Sequence, residues 1–475
     1  MLFRSHGEYS SEAIYNAAAA IRTDLLNGKD LKGERVAILC PPGLSFAASM
    51  LSCWMSGGMA VPLCIDHPAS ELDHVITDSG SVHILAHPSF LEKIERHRPK
   101  IIEVTHEVIT GIHVPLNWNL PRPDDHALML YTSGTTGKPK GVVHTHGSLI
   151  SQIECLVEAW EWNEHDRILH FLPLHHTHGL VNKLLCSLYS GARCDMMEKF
   201  NADEVVDRIA NGSYTIFMAV PTVYVKLIEK LNLSVEHLVP RFREKCGNMR
   251  VMISGSAALQ IAVMEKWMEL TGQRLLERYG MTEIGMALSN PLHGDRKIGS
   301  VGMPLPGMEV RLLMDNALIE GNGEGELEVH GKNIFSSYWQ RPDETKKSFT
   351  ADGWFRTGDL VERKENYYYI RGRLSTDIIK SGGYKISALE IESVLSQHPA
   401  ISECAIIGVP DETWGERIIA VVIMKKDLFI SLDELKNFCR DRLASYKIPS
   451  ELKMISGMPR NAMGKVMKPE LRKLF

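Results

Sequence analysis

Through residues 34–271, short apolar runs alternate with stretches whose apolar positions recur at helical spacing. The runs at 34–40, 82–85, 127–130, 167–172, 215–220 and 249–254 read as buried strands. The helices between them run from Pro41-Pro42-Gly43 to Gly57-Gly58, then over 69–78, near 179–190, and over 202–210, 222–230 and 258–271. Another opens at Ser148, with Leu149, Ile153, Leu156, Val157 and Trp160 on one face. This alternation predicts an α/β fold of mainly parallel sheet covered by helices. Residues 86–125 carry prolines and little periodicity and read as irregular.

From about residue 298 the pattern changes to short β-runs divided by glycines, at 309–313, 325–329, 354–357 and 367–370. They predict a small β-subdomain appended to the core. Residues 384–475 return to mixed patterning, with a helix near 387–397, strands at 403–409 and 417–425, and a helix over 431–443. The polar joint Arg373-Leu374-Ser375 is the expected boundary. It separates an N-terminal domain (1–373, with its β-subdomain at 298–373) from a small α+β C-terminal domain (374–475).

Composition narrows the function classes only a little. A chain of 475 residues with 44% hydrophobic and 23% charged residues is an ordinary multidomain globular protein. Its net charge of −5 gives no electrostatic reason to expect nucleic acid. No apolar run reaches membrane-spanning length, and residues 1–30 lack a signal-peptide core. The nine cysteines are scattered, without a C-x-x-C pair, as in the reduced core of an intracellular protein. The cytoplasm is the default location, and the mitochondrial matrix applies if a targeting segment precedes this sequence.

The chemistry concentrates in a few strings. Tyr131-Thr132-Ser133-Gly134-Thr135-Thr136-Gly137-Lys138-Pro139-Lys140-Gly141 lies between the run at 127–130 and the Ser148 helix. A strand, a loop of hydroxyls and glycines, and a helix make a phosphate cradle, with two lysines for charge. P-loop spacing is absent: two residues separate Gly134 from Gly137, and Pro139 stands where a metal-holding hydroxyl belongs. His175, His176 and His178 fall within four residues, but no neighbouring Cys, Asp or Glu completes a metal-ligand set. Further strings are Ile253-Ser254-Gly255-Ser256-Ala257, Glu277-Arg278-Tyr279-Gly280-Met281-Thr282-Glu283, Arg356-Thr357-Gly358-Asp359, and Arg371-Gly372-Arg373. Ser381-Gly382-Gly383-Tyr384 and a terminal Gly464-Lys465 follow.

The hydroxyl–glycine loop resembles the signature of the AMP-forming, adenylate-forming enzymes: acyl-CoA synthetases, luciferases and peptide-synthetase adenylation domains. The likeness spans about residues 6–475. It implies ATP, Mg²⁺ and coenzyme A as the small molecules handled. Thr132, Ser133, Gly134, Thr135, Thr136, Gly137, Lys138, Pro139 and Lys140 would hold ATP, with Thr136 also acting in catalysis and on Mg²⁺. Ser256, Ala257, Tyr279 and Gly280 would lie at the adenine, Thr282 near the AMP phosphate, and Glu283 on Mg²⁺. Asp359 would accept from the ribose hydroxyls and Arg373 would reach the nucleotide. His176 would stand between the carboxylate pocket and the thiol tunnel. Ser381, Gly382, Gly383 and Tyr384 would line that tunnel after rotation about Ser375, and Lys465 would serve the adenylation pose.

The string at 276–283 further resembles the malonyl-CoA and methylmalonyl-CoA synthetase subfamily, in which the arginine receives the substrate's distal carboxylate. That assigns Arg278 to the substrate, with Lys226, His178 and Ser254 around it. The implied activity is ATP-dependent ligation of malonate or methylmalonate to coenzyme A through an acyl-AMP. Another short-chain carboxylate, or loading of a carrier protein, is the alternative. The resemblance also implies a further strand or two before residues 3–10.

Overall fold

The structure, a computed structural model, describes residues 3–4, 7–25, 28–105, 120–132, 139–233, 238–315, 317–460 and 466–475. Two parallel-rich sheets form the N-terminal body. In the first, Met59–Pro62, Arg35–Leu39, His83–Ala86 and Ile101–Glu103 run parallel with His126–Thr132, and Lys140–Thr145 and Ser337–Tyr338 close one side antiparallel. In the second, Leu276–Met281, Val251–Ser254, Ile216–Ala219, Arg167–His170 and Arg193–Met196 are parallel, with Gly285–Ser289 antiparallel on Leu276–Met281. One core, including Ile38, Leu128, Leu130, Val142, Ile168, Ile216, Ile253 and Leu276, is shared between these sheets. It explains why these strands read as unbroken apolar runs: both faces are buried.

The expected β-subdomain is an antiparallel sheet of Met308–Met314, Gly323–Gly331, Phe355–Lys364 and Tyr367–Arg373, edged by Ala317–Leu318. The C-terminal segment folds on its own sheet of Ile378–Ser381, Tyr384–Ser387, Ile401–Asp411 and Gly415–Met424. Glu451–Met454 is added in parallel, over a core of Ile379, Ile391, Ile406, Leu435 and Cys439.

Three local expectations change. The helix after the glycine loop begins at His146, not Ser148. Thr145 is its N-cap, and Ser148 closes a capping box. Between loop and helix lies the strand Lys140–Thr145, which pairs antiparallel with His126–Thr132 from Thr132–Lys140 onward. Six extended residues span about 20 Å, which sets the N-terminus of the His146 helix well away from Lys140. The β-prone signal in Gly141-Val142-Val143-His144-Thr145 was there to read. Second, the stretch taken as irregular contains the short helical segment Pro88–Lys100 and the strand Ile101–Glu103. Third, Arg193–Met196, Leu238–Gly247 and Gly285–Ser289 are elements that the periodicity did not mark.

No helix among the described residues is long and apolar enough to cross a membrane. All nine cysteines are free and buried.

Candidate active site

The motif residues converge beyond the C-terminal ends of the parallel strands, where α/β sheets leave their crevice. On one side, the register of the β-subdomain sets Asp359 opposite Arg373. Arg373 Nε lies 3.0 Å from Asp359 Oδ1, and Tyr279 donates its hydroxyl to Asp359 Oδ2 at 2.5 Å. Thr357, absent from the candidate residues, accepts from the Asp359 N–H at 3.1 Å and fixes the turn. Burial opposes the charge on Arg373, but Asp359, Tyr279 and Glu283 outweigh it and hold its pKa above the ordinary value.

Tyr279 stands on Leu276–Met281 at a bulge, and the next residue must be small: a Cβ on Gly280 would lie 2.0 Å from the Gly285 carbonyl oxygen. Beyond it, Thr282 and Glu283 turn back into the next strand. His144 holds this turn, with Nε2 2.8 Å from the Thr282 carbonyl. Burial lowers the His144 pKa to about 4, so the neutral ring donates. Glu283 is buried and accepts from the Tyr338 hydroxyl at 2.9 Å. Lys140, at the start of its strand, lies over the Tyr338 ring at 3.5 Å and 3.5 Å from Glu344. Thr132 pairs with Lys140, and the Pro139 carbonyl lies 3.3 Å from His74 Nε2. Ser133, Gly134, Thr135, Thr136, Gly137 and Lys138 lie outside the described residues.

On the other side of Tyr279, Arg278 is 4% exposed. Its strand neighbour Glu277 faces the opposite way and accepts from the Gly299 N–H at 3.2 Å, so the two do not pair. Arg278 Nη2 donates to Ser256 Oγ at 3.4 Å, while its buried Nε has no partner among the described residues. Burial lowers its pKa to about 10, which leaves it charged at neutral pH. Ser256 holds a positive φ of 71°, unusual for a residue with a Cβ, and sits 3.2 Å from His178 Nδ1. Gly255 makes the room: a Cβ there would lie 2.5 Å from Arg278 Cζ.

Three more polar atoms, His178 Nε2, Ser254 Oγ and Thr177 Oγ1, are buried without partners among the described residues. Of these residues His178 reaches Arg278 through Ser256, and a buried guanidinium with no acid beside it is costly unless something polar completes it. Lys226 does not join them. It is exposed on its helix, 5.8 Å from the Phe200 ring centroid. Ala257 is exposed beside Ser256.

His176 is held near a pKa of 4 by burial and by His67, and its ring lies 4.0 Å from that of His175. The sequence offered no further metal donor near these histidines. Folding supplies two, because the donor atoms of Cys64, His67 and His175 lie within 4.8 Å of one another.

Behind the pocket sits a cation the sequence did not flag. Lys183 is fully buried on the π-helical stretch Leu180–Leu185, and its ammonium donates to the Leu169 and Met218 carbonyls at 2.8 and 2.9 Å. Burial lowers its pKa from 10.5 to about 7. Between those values the unfolded chain keeps a proton that the folded protein has released, so this group favours folding more as pH rises. Lys183→Met removes that slope. The stability advantage of the variant over wild type is expected to be larger at pH 7 than at pH 9 by about 2 kcal/mol. Denaturant midpoints of both proteins at each pH measure it, and the paired comparison cancels the titration of all other groups. A difference independent of pH would show that Lys183 does not titrate in this range.

In the C-terminal segment, Ser381 and Tyr384 pair across a turn in which Gly382 and Gly383 have φ of 57° and 82°, values that favour glycine. Tyr384 stacks on Tyr446 with ring centroids 4.3 Å apart, and Gly382 donates to the Trp414 carbonyl at 2.9 Å. All three aromatic residues are exposed. Ser375 is exposed at the joint. The Leu374 N–H is held by the Gly358 carbonyl at 2.8 Å on one side. On the other, Thr376 accepts from Arg472 at 3.1 Å, and Asp377 lies 2.8 Å from Lys468. Lys465 lies outside the described residues.

Comparison with known proteins identifies the relatives of the chain. The AMP-binding enzyme family profile matches residues 12–339, and that of the AMP-binding enzyme C-terminal domain matches residues 390–465. The chain is 44% identical to a mitochondrial malonate–CoA ligase of Bos taurus, over 100% of this chain and 88% of that protein. It is 40% identical to a malonate–CoA ligase of Arabidopsis thaliana, over 99% and 84%. Among solved structures, ATP-bound MatB from Rhodopseudomonas palustris superposes with a TM-score of 0.91 at 33% identity, covering 99% of this chain and 94% of that one. A malonyl-CoA ligase complex holding methylmalonyl-CoA and AMP gives 0.70 at 34% identity, covering 96% of each.

Proposed function

Because the chain belongs to the AMP-binding enzyme family, we propose that it ligates malonate to coenzyme A with ATP, through malonyl-AMP, releasing pyrophosphate and then AMP. The observation that carries this reading is Arg278: a buried guanidinium with no carboxylate partner among the described residues, bonded to Ser256, which in turn meets His178. A short dicarboxylate would neutralise Arg278 with its distal group and present its other carboxylate to the nucleotide side. The malonate–CoA ligases among its relatives support the same substrate. The solved malonyl-CoA ligase complex that holds methylmalonyl-CoA supports methylmalonate as a second one.

A thiol cannot usefully attack a carboxylate, because oxide would have to leave. Attack of the carboxylate on the α-phosphorus of ATP expels pyrophosphate and leaves a mixed anhydride, whose AMP departs readily when the thiol adds. In our reading, Tyr279, Gly280, Asp359 and Arg373 seat the nucleoside, with the Asp359 carboxylate accepting from the ribose. Ser256 and Ala257 border the adenine and the pocket. Lys140 and the hydroxyl–glycine loop neutralise phosphate charge, and Lys465 does so in the adenylation pose. The buried Glu283 carboxylate is a suitable hard ligand for Mg²⁺ and, with Thr136, would hold the ion, which would supply positive charge against the ATP phosphates. His176, neutral at pH 7, stands where the thiol arrives. The direct test is pyrophosphate release assayed with malonate, with and without coenzyme A. Release that does not depend on malonate would defeat the reading.

We also place the switch between half-reactions at Ser375, where held backbone on either side meets. Rotation there would withdraw Lys465 and bring Gly382, Gly383 and Tyr384 to the thiol path. The lower superposition score against the product complex, at like identity to the ATP-bound relative, supports such a rotation. Ser375→Pro, which fixes φ near −65°, is expected to slow thioester formation from supplied malonyl-AMP by about 10-fold or more while adenylation stays near wild type. Equal rates in both half-reactions would move the pivot elsewhere. The mitochondrial label on the animal relative supports a matrix location.

A further inference from the structure

Cys64 and His67 follow the strand Met59–Pro62 of the first sheet, and His175 follows Arg167–His170 of the second. Their donor atoms lie within 4.8 Å of one another. We propose that Cys64, His67 and His175 form a binding site for a zinc-class transition metal that clamps the two sheets together at the crevice.

The donor set suits that ion. One thiolate and two imidazoles are borderline-soft ligands, and three protein ligands leave a fourth position for water. Tetrahedral zinc, with Zn–S about 2.3 Å and Zn–N about 2.0–2.1 Å, sets its donors about 3.4–3.6 Å apart. Closing from 4.8 Å asks for side-chain rotation of about 1 Å, without rebuilding the backbone. The turn is already stiff: His67 N–H donates to the Cys64 carbonyl at 3.2 Å, and Lys93 donates to the Ile65 carbonyl at 2.6 Å. The backbone amides of Asp66 and His67 face the Cys64 sulfur, as donors to a thiolate should. Glu71 lies 3.3 Å from His67 Nδ1, which fixes the ring's tautomer and lets Nε2 serve as ligand. Binding releases the thiol proton to solvent.

None of the three residues carries a role in the assigned reaction, though His175 lies against His176, which does. The test is titration of the full-length protein with Zn²⁺ alone, read by competition with a chromophoric chelator, and with Co²⁺, read by its thiolate charge-transfer band. One equivalent of zinc and a cobalt–thiolate band are expected. Cys64→Ser should abolish the band, and both Cys64→Ser and His67→Gln should weaken zinc binding by about 100-fold. Zinc should raise the unfolding midpoint of wild type and leave that of His67→Gln unchanged. Absence of the cobalt band in wild type, or zinc affinity unchanged in a folded His67→Gln protein, would overturn the site.

Discussion

Arg278→Ala is expected to cut kcat/KM for malonate by about 10⁴-fold, because a site built to hydrogen-bond a group loses its discrimination when those donors go. The guanidinium is buried and meets no acid among the described residues, so on the proposed reading the substrate compensates its charge. Two parallel hydrogen bonds from a planar fork to a carboxylate are a geometry lysine cannot reproduce, so Arg278→Lys should recover little. Wild type should reject acetate and propionate for the converse reason, since a methyl end leaves the donors of Arg278, Ser254 and His178 unpaired. The alanine variant should therefore gain on monocarboxylates relative to malonate. A panel of acetate, propionate, butyrate, malonate, methylmalonate and succinate against both proteins decides it. A wild type that prefers a monocarboxylate, or a ranking unchanged by the substitution, removes malonate as the substrate and leaves the acyl-CoA synthetase class.

Asp359→Asn is expected to lower kcat/KM for ATP by about 10³-fold, the loss of two hydrogen bonds to a charged acceptor at about 1.5–3 kcal/mol each. The substitution keeps the side-chain volume and leaves one oxygen to accept from Tyr279 or Arg373, so the β-subdomain should stay folded. The malonate KM at saturating ATP should change little, because Asp359 lies on the far side of Tyr279 from Arg278. A variant with normal ATP kinetics would mean that the carboxylate serves only to hold Arg373.

The strings at 253–257, 277–283 and 356–359 were legible through their resemblance to the motifs of adenylate-forming enzymes, since each alone reads as an ordinary turn. Small residues end a strand, and polar residues of fixed spacing follow it. The interpretation of Arg278 as buried, not reaching for Glu277, needed the strand's alternation, which the sequence shows only once the register is known. Lys226 misled for the usual reason. A lysine on an amphipathic helix is exposed, and proximity in sequence to Met218 and Ala219 did not bring it into the crevice. Lys183, His144 and Tyr338 were invisible because their partners are backbone carbonyls or residues far along the chain, at Met218, Thr282 and Glu283. Cys64 and His175 come together only through the packing of two sheets, and no local pattern encodes that.

The burial of all nine thiols has a further meaning for an enzyme of this kind. An acyl-adenylate is an indiscriminate electrophile, and coenzyme A is a thiol that forms mixed disulfides. Burial pushes Cys40, Cys155 and Cys194 to pKa values of about 12, so the nucleophilic thiolate is scarce at neutral pH. The protein's own thiols then compete poorly with coenzyme A for the acyl-adenylate. Modification of its own cysteines is thereby limited by the packing of the core.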